Sequence, residues 1–471
     1  MARHERWVML TTLVLLQVVT IVTGVHVLRD DLNLSTLTSG PAPTTPTASP
    51  EETPPVPVVT AGPVLAQLPA RAGDGPLPTK GTLTRQLTDA LGDKALGDRV
   101  GAVVIDAATG ERVFAADPET GIVPASTTKV VTCAAALAAL GPDARLSTRV
   151  VDGASAGSIV LVGGGDTTLA GPSAKPGAYP RQPTLATLAA RTAKALKARG
   201  TTKVTLSYDA SLYTGPTRAP GWKPNYVPDG EVTPVHALTI DAGRQYPGHS
   251  RPRVSDPPRF AAVAFAALLR GHGIGVAGTM RPARAAPGAA ELGRVESAPV
   301  YALVERALTY SDNDLAESLA RQVAVKEGKP ASFAGASDAV HTVLQRRGVA
   351  KGIEVHDGSG LSTRNRISAD ALARLIALTA GQPDLRALAS GMPIAGFSGT
   401  LGNGRRFTGG DSKGQVGLVR AKTGTLNNVN TLAGLATTKD GRLVTFAFMA
   451  DQVPSNAEPV LDRLAAIVAR S

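Results

Sequence analysis

The segment Pro124-Ala125-Ser126-Thr127-Thr128-Lys129 leads into an Ala/Leu/Val-rich run that reaches Leu140 and stops at Gly141-Pro142. That pattern predicts a helix over 127–140 with a defined end. Residues three apart share a helix face, so the Lys129 amine can reach the Ser126 hydroxyl. A serine needs a neighbouring base to become a nucleophile at neutral pH. The N-terminus of the helix also turns backbone N–H groups towards developing negative charge.

Outward from this helix, short strands are expected over 101–106 (GAVVID) and 111–116 (ERVFAA), joined by the turn Ala107-Ala108-Thr109-Gly110. A second strand pair, 430–437 and 443–449, turns at Lys439-Asp440-Gly441 near the other end of the chain. Helices are expected over 83–91, 185–198, 259–269, 300–308, 314–325 and 458–469, with further strands over 158–162 and 204–208. Strand pairs at both ends with helices between them predict an α/β (α+β) fold, an antiparallel sheet closed by both termini and covered by helices.

Two more short motifs accompany the serine. Ser311-Asp312-Asn313, between two helices, offers a hydroxyl for proton relay and an amide for holding a peptide. Lys422-Thr423-Gly424, followed by Thr425 and expected just before the last strand pair, offers a cation, two hydroxyls and a glycine that lets a substrate backbone approach. A lone Ser-x-x-Lys carries little information. The three motifs in this order characterise penicillin-binding proteins and class A β-lactamases.

The chain resembles the low-molecular-mass penicillin-binding proteins of the D-alanyl-D-alanine carboxypeptidase/endopeptidase type, peptidase family S13. Further similar stretches are LVGGGDTTL (161–169), Pro220-Gly221-Trp222, DGSGLS (357–362), MPIAGFSGTL (392–401) and AKTGT (421–425), so the resemblance covers roughly 83–451. It implies the penicillin-binding-protein/β-lactamase-like fold, with a second domain inserted between the first and second motifs. It also implies that Ser126 forms an acyl-enzyme, Lys129 acts as general base and Ser311 passes a proton to the leaving D-Ala. Asn313 and Lys422 position the substrate. Thr423, Gly424 and Thr425 line the place of its terminal carboxylate, and the N–H groups of Ser126 and Thr425 form the oxyanion hole. Lys422, as a second cation, is expected to lower the pKa of Lys129. The implied partners are peptidoglycan stem peptides and β-lactam antibiotics, with no cofactor; removal of a terminal D-Ala and cleavage of cross-links both remain open. Members of the family usually carry a further small domain within the insertion, and here the GGGD turn follows the serine helix so soon that it is absent or reduced.

Two other functions share these motifs. A class A β-lactamase uses a Glu-x-x-x-Asn to activate the deacylating water; Glu317, Glu327 and Glu354 lie in the right interval, and none has Asn four residues on. A non-catalytic penicillin-binding sensor or scaffold conflicts with three intact motifs.

The organisation expected is a cytoplasmic stub and membrane anchor over 1–28, a Pro/Thr-rich linker over 29–79, a catalytic domain from 80–150 and 285–471, and an inserted domain over 151–284. Arg3 and Arg6 precede a stretch, Trp7 to Leu28, without Lys, Arg, Asp or Glu. As a helix it spans roughly 33 Å. Without a small-x-small cleavage site it reads as an uncleaved single-pass anchor with the catalytic domain extracytoplasmic. The proline-rich stretch after it is a semi-rigid spacer.

Over all 471 residues the net charge is +11, which suits an anionic surrounding such as a membrane face or acidic wall polymer. No dense Lys/Arg block interleaved with aromatics points to nucleic acid. The single cysteine, Cys133, excludes an intramolecular disulfide, and no His-x-x-x-His pair suggests zinc, so no metal is assigned. Gly163-Gly164-Gly165 lacks the following Lys-Ser/Thr of a phosphate loop and reads as a tight turn. Trp222, His236 and His356 read as structural, and Asp357 as a turn-former or as part of the pocket.

Overall fold

The computed structural model describes residues 80–246, 249–402 and 404–471. The expected anchor and linker lie outside these residues. Among the described residues no helix is long and apolar enough to cross a membrane.

A five-stranded antiparallel sheet forms the centre. In chain order its strands are β1 (Val100–Asp106), β2 (Arg112–Ala116), β10 (Val419–Leu426), β11 (Val429–Thr437) and β12 (Leu443–Asp451), arranged β10-β11-β12-β1-β2. β1 pairs with β12, Val103 opposite Ala447, so the sheet is closed by segments from the two ends of the described chain. Both faces are covered, which explains why β1 and β12 read as nearly continuous apolar runs. Ala102, Val104, Phe446 and Phe448 face the helices Lys80–Leu91 and Glu458–Arg470 in one core. Val103, Ile105, Ala447 and Met449 belong to the other, with the helices Thr128–Leu140, Val300–Thr309, Asn313–Lys326 and Ala369–Ala377. Phe446 and Phe448 are fully buried and stack at 5.2 Å; truncating either to Ala costs about 3–5 kcal/mol.

Two helices that apolar patterning does not bring out, Phe333–Arg346 and Ala369–Ala377, are each started by a serine whose side chain accepts a backbone N–H: Ser332 from Gly335 and Ser368 from Ala371. β10 is also unexpected. Its sequence, VRAKTGTL, lacks clean alternation, and the Lys-Thr-Gly motif, expected just before the last strand pair, lies on this edge strand.

The second sheet has the order β6-β5-β4-β3-β7. Its strands are β3 (Ser147–Asp152), β4 (Ser158–Val162), β5 (Lys203–Asp209), β6 (Gly275–Pro282) and β7 (Glu291–Glu296). It is mixed: β4, β5 and β6 run parallel, while β3 is antiparallel to both β4 and β7. The helices Leu185–Ala198 and Pro257–Gly271 pack on it. Because the entering strand β3 bonds to the leaving strand β7, the sheet runs from Ser147 to Glu296, wider than the 151–284 expected for the insertion. The loop after β5 does not stay with this sheet. Thr214 O and Pro216 O accept hydrogen bonds from the buried guanidinium of Arg321, and Thr233 N–H donates to Asp314, so the loop is drawn onto the Asn313–Lys326 helix. A two-stranded ribbon, β8 (Ile353–Glu354) with β9 (Arg366–Ile367), brackets the DGSGLS stretch.

Candidate active site

Ser126 lies in a single 3₁₀ turn, Ala125–Thr127, that runs into the Thr128–Leu140 helix. The turn is pinned by hydroxyls: Thr127 and Thr431 both donate to Pro124 O, at 2.7 and 2.8 Å, and Thr128 donates to Ala125 O at 2.9 Å. Ala125 has φ +49°, a left-handed conformation that an alanine holds only when its surroundings over-determine it. They do so here with two glycines. A Cβ on Gly424 would stand 2.6 Å from Pro124 O, and one on Gly360 would stand 1.9 Å from Ala125 O. The serine turn is therefore wedged between β10 and the 357–362 loop.

Lys129 is fully buried. Its ammonium donates to Ser126 Oγ at 3.0 Å, Asn313 Oδ1 at 2.6 Å and Ser359 O at 2.7 Å, which uses all three of its protons. Burial lowers its pKa to about 8, against the opposing pull of Asp357, Glu317 and Asp312. Lys422 is likewise held well below the ordinary lysine range, by its own burial and then by the neighbouring Lys129; the two cations repel each other, in the direction expected for Lys129.

Lys422 donates to Ser311 Oγ at 3.0 Å and to Thr423 O at 2.7 Å. Ser311 stands at φ +55°, just before Asp312, whose side chain caps the Asn313–Lys326 helix by accepting the Leu315 N–H. Two lysine–serine pairs thus face one site: Lys129 with Ser126, and Lys422 with Ser311.

Asn313 differs from the expectation. Its amide does not point free for a substrate: Oδ1 accepts from Lys129, and Nδ2 donates to Glu231 O at 2.8 Å. The sequence cannot tell which end of the amide faces what. The hydroxyl of Thr423 lies 2.8 Å from that of Thr400, and Thr425 Oγ1 donates to Glu458 Oε1 at 3.0 Å. On the outer edge of β10, Ala395 N–H donates to Val419 O and Ala421 N–H donates to Pro393 O. By the two-residue period of a strand, the backbone groups of Thr423 and Thr425 face the same outer edge beyond that cover.

The surrounding loop is built on two acids. Glu317, buried in its helix, accepts the N–H groups of Gly358 at 3.0 Å and Ser359 at 2.8 Å. This fixes the carbonyl that Lys129 uses. Burial, and then the nearby Asp357, raise the Glu317 pKa to about 7. Asp357 accepts from Gly360 N–H, Ser362 N–H, Asn365 Nδ2 and Trp222 Nε1. Asp357 is therefore a turn-former and Trp222 its donor, which also packs edge-to-face on Phe333. Sequence reasoning gave no role to Ser359, Thr400 or Glu458; their only signal was position, the first two inside family-like stretches.

Other candidates fall away. The Cys133 thiol is buried and its pKa pushed up to about 12 by desolvation. The N–H groups of Gly163 and Gly165 go to Asp209 O and Ala237 O, so no phosphate cradle exists there. His356 meets Glu354 at 3.2 Å.

A buried lysine on a serine at a helix start, a second lysine–serine pair, and an edge strand carrying Lys-Thr-Gly define an active-site-serine hydrolase of the penicillin-binding-protein and β-lactamase fold class. The chain belongs to the D-Ala-D-Ala carboxypeptidase 3 (S13) family, whose profile matches residues 83–251 and 247–469. It is 39% identical over 396 residues to a carboxypeptidase of Mycobacterium tuberculosis, covering 82% of this chain and 84% of that protein. It is 38% identical over 400 residues to the carboxypeptidase DacB of Mycolicibacterium smegmatis, covering 83% and 85%. Its fold is similar to that of penicillin-binding protein 4 from Haemophilus influenzae, with a TM-score of 0.67 at 22% identity over 83% of this chain and 98% of the other.

Proposed function

We propose that this protein hydrolyses D-Ala-D-Ala peptides of peptidoglycan through an ester on Ser126, and that penicillins acylate the same serine. The observation that carries the reading is the 3.0 Å contact between the fully buried Lys129 Nζ and the half-buried Ser126 Oγ. The neutral Lys129 amine takes the Ser126 proton as Oγ attacks the carbonyl of the penultimate D-Ala. The N–H of Ser126, and that of Thr425 on the outer edge of β10, stabilise the resulting oxyanion. As the C–N bond breaks, Ser311 delivers a proton to the departing D-Ala nitrogen, with Lys422 as the neighbouring proton source. Water then hydrolyses the ester. Asn313 acts by holding Lys129, and Thr423 with Lys422 receives the terminal carboxylate.

Glu317 argues against a β-lactamase. Both of its oxygens are engaged by backbone N–H groups away from solvent, which leaves no free carboxylate to activate a deacylating water. We also propose that the segment Trp7 to Leu28 anchors the chain, with the catalytic part outside the cell, supported by its freedom from charge between Arg6 and Arg29. Release of D-Ala from a D-Ala-D-Ala pentapeptide, beside penicillin turnover, tests the activity. Peptide hydrolysis with a long-lived penicillin adduct supports it. Rapid penicillin turnover without peptide hydrolysis overturns it.

A further inference from the structure

Where the second sheet meets the catalytic helices, a groove of about 980 Å³ opens between the 174–184 segment and the start of the Val300–Thr309 helix. Each side contributes an exposed tyrosine, Tyr179 at 55% and Tyr301 at 40%. Four cations, Arg145, Lys175, Arg181 and Arg191, line it against one carboxylate, Glu296. Its walls are fixed: Arg145 Nη1 donates to Ser297 O at 2.7 Å, the Tyr301 N–H donates to Pro142 O at 2.9 Å, and the Tyr179 hydroxyl donates to Glu305. The side chains of Lys175 and Arg181, both exposed, have no partner among the described residues. Such cations take carboxylates in charge-assisted hydrogen bonds. A held tyrosine ring offers a flat apolar face with a polar tip, which suits a sugar ring beside those carboxylates.

The groove lies one helix length from the reacting groups. Tyr301 and Ser311 are ten residues apart across the Val300–Thr309 helix, roughly 15 Å at 1.5 Å per residue. A run of contacts on one face of that helix leads from the groove to β10. Glu305 accepts from Ser390 Oγ at 2.5 Å, and Thr309 Oγ1 donates to Gly391 O at 2.8 Å. A Cβ on Gly399 would stand 2.3 Å from Thr309 O, and the next residue, Thr400, has its hydroxyl 2.8 Å from that of Thr423. The groove is therefore on the side of Ser311 and Thr423, where the departing group leaves. In a cross-link the departing amine belongs to a second stem peptide, and behind that stem comes a second glycan strand. Four or five extended residues, at about 3.3–3.6 Å each, cover the distance.

Resting on the reading of Ser311 as the donor to the leaving nitrogen, we propose that this groove is a second substrate site, which holds the departing strand of cross-linked peptidoglycan. Sugar rings lie on Tyr179 and Tyr301, and stem-peptide carboxylates meet Lys175 and Arg181. An uncross-linked stem releases only D-Ala, which is too short to reach the groove. The site thus favours cleavage of cross-links and leaves the chemistry at Ser126 as it is.

The test measures Kd by calorimetry on full-length Ser126→Ala protein, so that it does not depend on acyl transfer. The probes are a cross-linked dimer of disaccharide-peptides and an uncross-linked pentapeptide ending in D-Ala-D-Ala. The dimer is expected to bind about tenfold or more tightly than the pentapeptide, and Lys175→Glu with Arg181→Glu to remove that advantage, as expected for lost hydrogen bonds between charged groups. Tyr301→Ala should weaken the dimer in the same direction, and neither change should move the Kd of the pentapeptide. A dimer that binds no better than the pentapeptide, a dimer Kd indifferent to these changes, or both probes weakened in parallel overturns the proposal. So does a phosphate-bearing wall polymer that binds through the same residues more tightly than the dimer. Penicillin labelling of the unmutated protein is scored separately: its absence sinks the acyl-enzyme reading, whereas labelling with an unchanged dimer Kd sinks only the groove. Lys175 and Arg181 are exposed and hold nothing in place, so their double variant decides the matter if Tyr301→Ala fails to fold.

Discussion

Asn313 Oδ1 accepts a hydrogen bond from Lys129 Nζ at 2.6 Å, shorter than the 3.0 Å contact that Lys129 makes with Ser126. The second motif therefore acts on Lys129, the proposed base, before it acts on any substrate. Asn313→Ala is predicted to slow acylation by penicillin about tenfold or more, since a misplaced base loses part of a general-base effect of about 10²–10⁴. Asn313→Asp puts a negative charge beside Lys129 and raises its pKa, so the rising limb of acylation against pH moves to higher pH. Stopped-flow acylation across pH checks both; an unshifted profile in Asn313→Asp contradicts the contact.

Burial holds Lys129 near pKa 8 rather than 10.5. Acylation needs the neutral amine, so its rate should rise with pH and level off above about 8. The sign for stability follows from the same shift. Between about 8 and 10.5 the unfolded chain keeps a proton that the native chain has lost, so stability rises with pH across that window. Below 8 the buried ammonium is a full cost. Lys129→Met is therefore predicted to melt at a higher temperature than the unmodified protein at pH 7, with the gap closing towards pH 10.5, while acylation is lost. Scanning calorimetry at several pH values measures this.

Glu317 supports the loop that gives Lys129 its third acceptor. Glu317→Ala leaves two buried N–H groups without partners, at about 1–3 kcal/mol each, and is predicted to lower Tm and slow acylation together. Glu317→Gln should leave deacylation of the penicilloyl-enzyme unchanged within about twofold, because the carboxylate does not activate water. A deacylation rate that collapses in Glu317→Gln, measured by loss of label, contradicts this.

Gly424 faces the serine turn, and a Cβ there would lie 2.1 Å from Thr431 Oγ1 and 2.6 Å from Pro124 O. Gly424→Ala is predicted to push β10 from Ser126 and remove penicillin labelling, with circular dichroism largely preserved. Labelling at the unmodified rate would mean that β10 and the serine turn do not pack as described.

What could be read from the chain, and what could not, divides by distance along it. Ser126 and Lys129 are legible because one helix turn brings them together, and the central strands because β1 and β12 are nearly continuous apolar runs. The strands β3, β6 and β7 were not legible: they are short or partly exposed, and Gly275–Pro282 contains two glycines and a proline. The roles of Ser359, through its carbonyl, and of Glu317, through two backbone N–H groups, depend on contacts more than forty residues apart. The motif residues Lys422, Thr423, Gly424 and Thr425 were named from the sequence, but the strand that carries them, β10, was not. A strand with Lys, Thr and Gly where alternating apolar residues would sit hides its own periodicity.

The account rests on Ser126 as the nucleophile, and intact-protein mass after penicillin treatment followed by peptide mapping tests this most directly. The predicted result is one penicilloyl adduct per chain, located on Ser126, long-lived, and absent in Ser126→Ala. An adduct on any other residue, or none on well-folded protein, contradicts it.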